Sequence, residues 1–219
     1  MAVEQRSAVP KATLAALVVA AAAFVALAVA ASYRETSLLD LDRPITDGVV
    51  DLRAPWLTTL MQGLSLVGSR AVLAGMLIAL TVWALMTREC TRSVLVVSLA
   101  FLMAMLLETT LKEVIDRARP EPVLQLAPQR SAAFPSGHAL ASASFYGLLP
   151  VILASRWPGH VAAWTLVVLI GFSRVYLGVH WLTDTAGGTL LGVVIVALGV
   201  VLLRGHRLDP KRCPGGHPG

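Results

Sequence analysis

Six long apolar segments dominate this sequence of 219 residues. They cover residues 12–32, 65–86, 93–111, 135–153, 161–177 and 184–203. A helix needs about 20 predominantly apolar residues to cross the hydrocarbon core of a bilayer. Only 14% of the residues are charged, whereas soluble domains usually carry roughly 25%. The sequence therefore predicts an all-α integral membrane protein, a bundle of six transmembrane helices that forms a single domain over residues 1–219.

The first apolar segment has a competing interpretation as a secretory signal peptide, because Ala28-Val29-Ala30 resembles a cleavage site. Its apolar run is longer than the roughly 7–15 residues of a typical signal-peptide core. We therefore expect an uncleaved first helix. A polar N-terminus over residues 1–11 precedes it, the helical core covers residues 12–203, and residues 204–219 form a basic tail that we expect to be disordered.

The first long polar stretch, residues 33–64, allows two interpretations. Trp56-Leu57 and Leu60-Met61 have helical spacing near its end. This pattern favours a short amphipathic helix that lies at the membrane interface with Trp56 among the headgroups. The alternative is a plain connecting loop, and the pattern does not decide between the two.

The orientation in the membrane depends on where lysines and arginines lie, because short cytoplasmic loops are enriched in both. The 18 residues divide equally between the two sides. Three residues on one side, Lys112, Arg119 and Arg174, have a different role that is described below. Setting them aside favours cytoplasmic termini and places the two long loops outside the cell. Membrane topology therefore explains the net charge of +5, and we expect no nucleic-acid partner.

Three polar clusters interrupt the apolar pattern where predicted spans begin or end. They lie within residues 112–120, 135–138 and 173–184. Because successive spans alternate in direction, all three clusters reach the same face of the membrane. Distant polar groups that converge at one end of a bundle form a candidate site.

The charges and backbone of these clusters fit a phosphate group. Lys112, Arg119 and Arg174 are three cations, and lysine and arginine are the side chains that bind phosphate best. Ser136 and Gly137 lie at a predicted helix start, where free backbone N–H groups favour an anion. The cations would also stabilise the negative charge that grows in a five-coordinate transition state.

Two histidines and an aspartate supply the remaining chemistry. One histidine must be neutral to attack phosphorus, and the other must be protonated to release an alkoxide. Asp184 lies four residues after His180 and can hold that imidazole in one tautomer. We therefore assign His180 as the nucleophile and His138 as the general acid.

The three clusters together resemble the signature of the type-2 phosphatidic acid phosphatase superfamily. The matching residues are Lys112 and Arg119-Pro120, then Pro135-Ser136-Gly137-His138, then Ser173-Arg174, His180 and Asp184. The resemblance implies a six-helix core, a phosphohistidine intermediate and no metal or other cofactor. It also implies a lipid phosphate or diphosphate as substrate: a polyprenyl diphosphate, phosphatidylglycerol phosphate or phosphatidic acid. Oligomeric state does not follow from it.

Other interpretations of the same residues are less favoured. Vanadate haloperoxidases use the same constellation, but the six apolar spans speak against a non-membrane enzyme. A catalytically silent lipid-binding or transport protein on this fold is the main alternative, and the complete signature argues against it. Arg117 lies outside the signature, so we expect a solvated or headgroup-facing charge there. The two cysteines match no metal-ligand spacing.

Overall fold

The computed structural model describes residues 11–33, 39–88, 90–153 and 155–204 of the chain. Their regular structure is helical, with eight α-helices, a short 3-10 helix at Pro122–Leu124 and no strand in the described part. The helices are α1 Lys11–Tyr33, α2 Asp42–Asp51, α3 Pro55–Val67, α4 Arg70–Thr87, α5 Thr91–Ile115, α6 Gly137–Ile152, α7 Trp157–Tyr176 and α8 Leu182–Arg204. The predicted all-α fold class is confirmed.

Five of these helices, α1, α4, α5, α7 and α8, are long and apolar enough to cross a membrane. The sixth predicted span is helix α6, which is apolar but shorter. Large apolar side chains such as Val82, Leu102 and Leu198 remain about half exposed on the outside of the bundle. An apolar exterior of this kind is stable in a bilayer, so the chain is a membrane protein.

Helix α6 is the centre of the bundle. It packs against α8, α7 and α5, and nearly every residue along it is buried. Helix α1 packs on the outer side of α8, and α4 packs on α5. This central position explains why a helix of only 16 residues reads as a continuous apolar segment.

Small residues allow α6 and α8 to approach closely, as the glycines of α8 predict. A Cβ atom built on Gly188 would lie 2.5 Å from the backbone oxygen of Ser136. A Cβ on Gly192 would overlap the Cβ of Ala143. The contact at Gly188 holds the start of α6 against the start of α8.

The predicted start of the second span is wrong. Residues 65–67 belong to the end of α3, and α4 begins only at Arg70. Gly68 separates the two helices where the chain presses against Ile170 and Ser142 of the neighbouring helices. The hydroxyl of Ser69 then accepts a hydrogen bond of 3.3 Å from the Val72 amide and caps α4.

The stretch 33–64 contains two helices rather than one short one. Trp56, Leu57, Leu60 and Met61 lie in α3, so the helical spacing there is correct. The sequence gives no clear signal for helix α2, because it contains Pro44 and Gly48, and both residue types disfavour a helix interior. Pro44 lies in the first turn of α2, where the missing N–H group costs nothing. Whether either helix lies at the membrane interface stays a prediction, as does retention of α1. The basic tail falls almost wholly outside the described residues.

The contact between α6 and α8 generates a test with a matched control. Gly188→Ala should lower stability by about 1–3 kcal/mol, because the added methyl group must push apart two helix backbones. Gly75→Ala in α4 should be neutral or mildly stabilising, since a Cβ there meets nothing within 4 Å. Thermal unfolding in detergent measures both. Equal stability of the two variants would contradict close packing at Gly188.

Candidate active site

The predicted site residues lie at helix ends on one side of the bundle. Lys112 is near the end of α5, and Arg119 is in the loop that follows. Ser136, Gly137 and His138 are at the start of α6, while Arg174 is in the last turn of α7. His180 and Asp184 lie in the turn between α7 and α8 and in the first turn of α8.

Ser131 joins the two cations of the first cluster. Arg119 donates from Nε to the Ser131 carbonyl at 2.6 Å, and from Nη2 to the Ser131 hydroxyl at 3.2 Å. Lys112 Nζ is 3.4 Å from the same hydroxyl. The loop between α5 and α6 therefore folds back and holds both cations side by side.

His180 lies between a cation and a carboxylate. Its Nε2 atom is 3.3 Å from Nη1 of Arg119. Its Nδ1 atom is 3.5 Å from Oδ2 of Asp184. The latter separation is too long for a good hydrogen bond, so Nδ1 has no hydrogen-bond partner. The ring is 2% exposed, and its Nε2 edge faces the cations.

The surroundings of His180 favour a neutral imidazole. Burial lowers the pKa of His180 well below its ordinary value, and the nearby charges of Arg119, Arg174 and Lys112 lower it further. Burial and the nearby cations act in the same direction because each disfavours a positive charge on the imidazole ring. A neutral imidazole retains the lone pair that a nucleophile requires.

Arg174 and His138 complete the inner part of the site. Arg174 is 3% exposed. It donates from Nη1 to the hydroxyl of Ser65 on α3, and its Nε atom has no partner. His138 is partly buried and lies within electrostatic range of Arg174 and His180. The two histidines and the guanidinium therefore share one small region.

The start of α6 is shaped to receive an anion. The hydroxyl of Ser136 is buried without a hydrogen-bond partner. Three backbone N–H groups follow it in the first helical turn, where an α-helix offers them no internal acceptor. Gly137 has no side chain to cover them, and a Cβ atom there would collide with the carboxylate of Glu108.

Glu108 is a buried carboxylate beside these groups. Its Oε1 atom is 2.7 Å from Lys112 Nζ and 3.4 Å from Nη2 of Arg70, while Oε2 has no partner. Glu108 is 1% exposed and faces the interior of the bundle. Glu108 balances the charge of Lys112 next to the proposed phosphate position.

A glycine shapes the turn that carries His180. Gly178 has a φ of 71°, a conformation that favours glycine. Its amide donates to Val175 at 2.8 Å, and the Val179 amide donates to Arg174 at 3.1 Å. This pair of hydrogen bonds is a Schellman motif that ends α7. The turn thereby brings His180 back over the end of the helix that carries Arg174.

Asp184 also has a structural role at the start of α8. Its Oδ2 atom accepts a 2.9 Å hydrogen bond from the Trp181 amide, which satisfies one of the free donors of this helix end. Its backbone oxygen accepts a 3.0 Å hydrogen bond from the Ser136 amide. One residue therefore links the starts of α6 and α8.

The expectation for Arg117 is wrong. Its side chain is 8% exposed and forms ion pairs with Asp184 at 2.5 Å and with Asp42 at 2.6 Å. The sequence places Arg117 in a polar loop, and a loop charge is usually solvated. Here the loop folds inward over α8, and the carboxylates that pair with Arg117 come from distant parts of the chain.

Two aromatic residues beside the signature have structural contacts. Tyr176 is fully buried, and its hydroxyl lies 3.1 Å from Thr58 on α3. Trp181 donates from its indole N–H to the Ala118 carbonyl at 2.9 Å. Among the described residues, no group of three or more His, Cys, Asp or Glu side chains could hold a metal ion.

Sequence reasoning missed Asp42, Arg117, Ser131 and Ser65 as parts of the site. Arg117 carried a usable signal, since it lies two residues before a predicted phosphate ligand. The other three residues carried none. Asp42 and Ser65 come from α2 and α3, which lie outside the three clusters, and Ser131 lies in an irregular loop.

Comparison with known proteins shows which family the chain resembles. The PAP2 superfamily model matches residues 93–207, which is more than half of the chain. Phosphatidylglycerophosphatase B of Bacillus subtilis is 32% identical over 180 residues, covering 78% of this chain and 88% of that protein. An undecaprenyl-diphosphatase of Sulfolobus acidocaldarius is 36% identical over 112 residues, covering 47% of this chain and 51% of that protein.

Solved structures give the same fold. The crystal structure of a transmembrane PAP2-type phosphatidylglycerolphosphate phosphatase from Bacillus subtilis matches with a TM-score of 0.80 at 30% identity. That match covers 88% of this chain and 98% of the other. Aquifex aeolicus LpxE matches with a TM-score of 0.65 at 23% identity and covers 74% and 95% of the two chains. At that identity, the second likeness concerns the fold alone.

The environment of His180 generates a titration test. We expect His180 to stay neutral well below a pH of about 6.5, which is the ordinary pKa of histidine. Arg119→Ala should raise the pKa of His180, because it removes a nearby positive charge. Arg43→Ala, which removes a solvated arginine on α2, should leave it unchanged. NMR of histidine-labelled protein, with His180→Gln to identify the signal, measures the midpoint. A midpoint at or above 6.5 in the unaltered protein would refute the neutral state.

Proposed function

The chain belongs to the PAP2 superfamily, and we propose that it hydrolyses the phosphate ester or diphosphate of a membrane lipid through a phosphohistidine intermediate. It is a lipid phosphatase with one membrane domain over residues 1–219. One observation carries the proposal: a buried imidazole points one nitrogen at Arg119 and the other at Asp184. That arrangement is what a histidine nucleophile attacking a bound phosphate requires.

The terminal phosphate is held by the cations and by the start of α6. Lys112, Arg119 and Arg174 neutralise its charge. The unpartnered hydroxyl of Ser136 and the free backbone N–H groups in the first turn of α6 supply hydrogen-bond donors. The interaction of each of these groups with the phosphate becomes more favourable as negative charge grows in the transition state. The cations are part of the protein itself, so the mechanism requires no cofactor.

His180 attacks with Nε2, because Nδ1 faces Asp184. A phosphorus–nitrogen bond forms while the bond from phosphorus to the leaving oxygen breaks. His138 gives its proton to that oxygen. In the second step of the reaction, a water molecule gives a proton to His138 and attacks phosphorus. The phosphorus–nitrogen bond then breaks, and inorganic phosphate leaves with both histidines restored.

The lipid substrate belongs to the class of polyprenyl diphosphates, phosphatidylglycerol phosphate and phosphatidic acid. The Bacillus subtilis relative whose match covers 78% of this chain is a phosphatidylglycerophosphatase. This match favours a phosphatidylglycerol phosphate as the substrate. The match to an undecaprenyl-diphosphatase is shorter and supports a polyprenyl diphosphate. A phosphate-release assay across the three lipids discriminates among them.

The alternative function is a catalytically silent protein that binds or transports a lipid on the same fold. Such a protein needs cations to hold a phosphate, but it has no use for a second histidine beside the first. His138 lies in the first turn of α6, and the Ser136 amide just before that turn donates to the Asp184 carbonyl. The presence of this second histidine at the site therefore favours catalysis. Any phosphate release from a lipid would exclude the silent protein.

The removal of the nucleophile is the decisive test of the mechanism. We expect His180→Ala to reduce phosphate release by about four orders of magnitude or more, as for other covalent nucleophiles. It should also abolish the acid-labile phosphate that the unaltered enzyme carries after rapid quenching. His160→Ala, at the opposite end of α7, is the matched control and should keep full activity. Wild-type phosphate release by folded His180→Ala would exclude the proposed nucleophile.

We place this lipid phosphatase in the plasma membrane, with cytoplasmic termini and an extracytoplasmic site. The support is the excess of lysine and arginine on the side of the termini once the three phosphate-binding cations are set aside.

A labelling experiment tests this orientation. In a variant whose two native cysteines are replaced by serine, a single cysteine at Val123 should react with a membrane-impermeant maleimide in intact cells. Val123 is 88% exposed in the loop between α5 and α6. A cysteine at Thr91, the first residue of α5, should react only after permeabilisation. The opposite pattern would reverse the topology.

A further inference from the structure

A buried chain of charges lies behind the proposed catalytic aspartate. Arg117 donates from Nη1 to Oδ1 of Asp184 at 2.5 Å and from Nη2 to Oδ2 of Asp42 at 2.6 Å. Thr183 closes the network, since its amide and hydroxyl both donate to Asp42, at 3.0 and 2.5 Å. The members come from α2, from the loop after α5 and from α8.

Burial of this network costs free energy, because its ions lose contact with water. The side chains of Arg117, Asp42 and Asp184 are 8%, 4% and 0% exposed. Buried ions lose their hydration, and replacing such groups by apolar residues is often neutral or stabilising. A buried ion network is therefore weak evidence of a role in stability alone, and its position next to the site suggests a use in the reaction.

The network determines which carboxylate oxygen faces His180. Arg117 occupies Oδ1 of Asp184, and the Trp181 amide binds Oδ2 at 2.9 Å. With both oxygens held, the carboxylate cannot rotate about its terminal bond. Oδ2 consequently remains 3.5 Å from Nδ1 of His180, within the small movement that would complete a hydrogen bond during reaction.

Asp42 keeps Arg117 in place and balances its charge. If Arg117 had no second partner, its guanidinium would neutralise Asp184 and leave no net negative charge near His180. The two carboxylates and one guanidinium together carry one negative charge. That charge can hold the proton on Nδ1 and stabilise the cationic imidazole ring that forms when Nε2 bonds to phosphorus.

We propose that Arg117 and Asp42 are positioning residues that hold Asp184 towards His180, so that helix α2 contributes to catalysis without contacting the substrate. This inference depends on the proposed role of His180 as nucleophile. Arginine suits the position because its planar fork can bind two carboxylates at once, whereas a lysine presents a single point charge.

The test separates positioning from phosphate binding by comparing kcat with KM. Arg117→Ala, Arg117→Lys and Asp42→Asn should each lower kcat by about 10–100-fold, the size of effect expected from a misplacement of about 1 Å. KM should change less than about twofold, because neither residue belongs to the phosphate-binding groups. Arg119→Ala should raise KM as well as lower kcat, since Arg119 is one of the cations that we assign to the phosphate.

The chain offers matched controls next to these residues. Arg43 and Asp47 form an exposed ion pair within α2, with side chains 56% and 48% exposed. Arg43→Ala and Asp47→Asn should leave kcat and KM unchanged. Asp47→Asn removes the same chemical group from the same helix as Asp42→Asn, and Arg43→Ala removes an exposed arginine that pairs with Asp47 and Glu121. Both variants therefore control for general effects on α2.

Chemical rescue separates a positioning role from a merely structural one. Guanidinium at non-denaturing concentration should restore part of the kcat of Arg117→Ala by filling the vacated space between the two carboxylates. It should not restore Asp42→Asn or His180→Ala. The double variant Arg117→Lys with Asp42→Asn should lose about as much kcat as the worse single variant, because the two residues act as one unit.

Three results would overturn the inference. One is wild-type kcat in folded Arg117→Ala and Asp42→Asn. Another is a loss of kcat that follows the loss of thermal stability across the series and shows no guanidinium rescue. A rise in KM with unchanged kcat would instead assign Arg117 to phosphate binding. His180→Ala keeps the two proposals distinct, since activity in that variant would refute the nucleophile rather than the positioning network.

Discussion

The carboxylate of Asp184 is the group on which the arrangement of this site depends. It is fully buried, so each of its contacts must be supplied by the protein. Arg117 binds one oxygen, the Trp181 amide binds the other, and the backbone oxygen of the same residue accepts from Ser136. Asp184 thereby caps α8, links it to the start of α6 and lies against His180.

The packing of α6 on α8 makes these contacts possible. Because Gly188 has no side chain, the backbone of α8 can approach the Ser136 carbonyl. The starts of both helices then lie together, and the N–H groups of α6 face the end of α5 that carries Lys112. The close packing of α6 on α8 within the apolar bundle therefore determines the distances between the polar groups of the site. The same apolar exterior keeps that site in a membrane, where its substrate is dissolved.

The sequence was informative where a single segment carries the whole signal. The apolar runs predicted the helices of the bundle because length and hydropathy are local properties. The clusters around Lys112, Ser136 and His180 could be placed at helix ends for the same reason. Local signals failed at α2, because Pro44 and Gly48 disfavour a helix, and at Gly68, where packing against Ile170 separates α3 from α4. Arg117 was misjudged because its partners are far away in sequence.

The sequence by itself determined the all-α membrane fold, the family and the set of groups that we propose to bind and attack a phosphate, because residue type and spacing along one chain are sufficient for these. Only the tertiary structure decided how those groups face one another. It orients Nδ1 of His180 to Asp184 and Nε2 to Arg119, and it brings Asp42 of α2 to Arg117. The physical reason is that burial makes each charge depend on a partner, and long-range packing of the helices selects that partner.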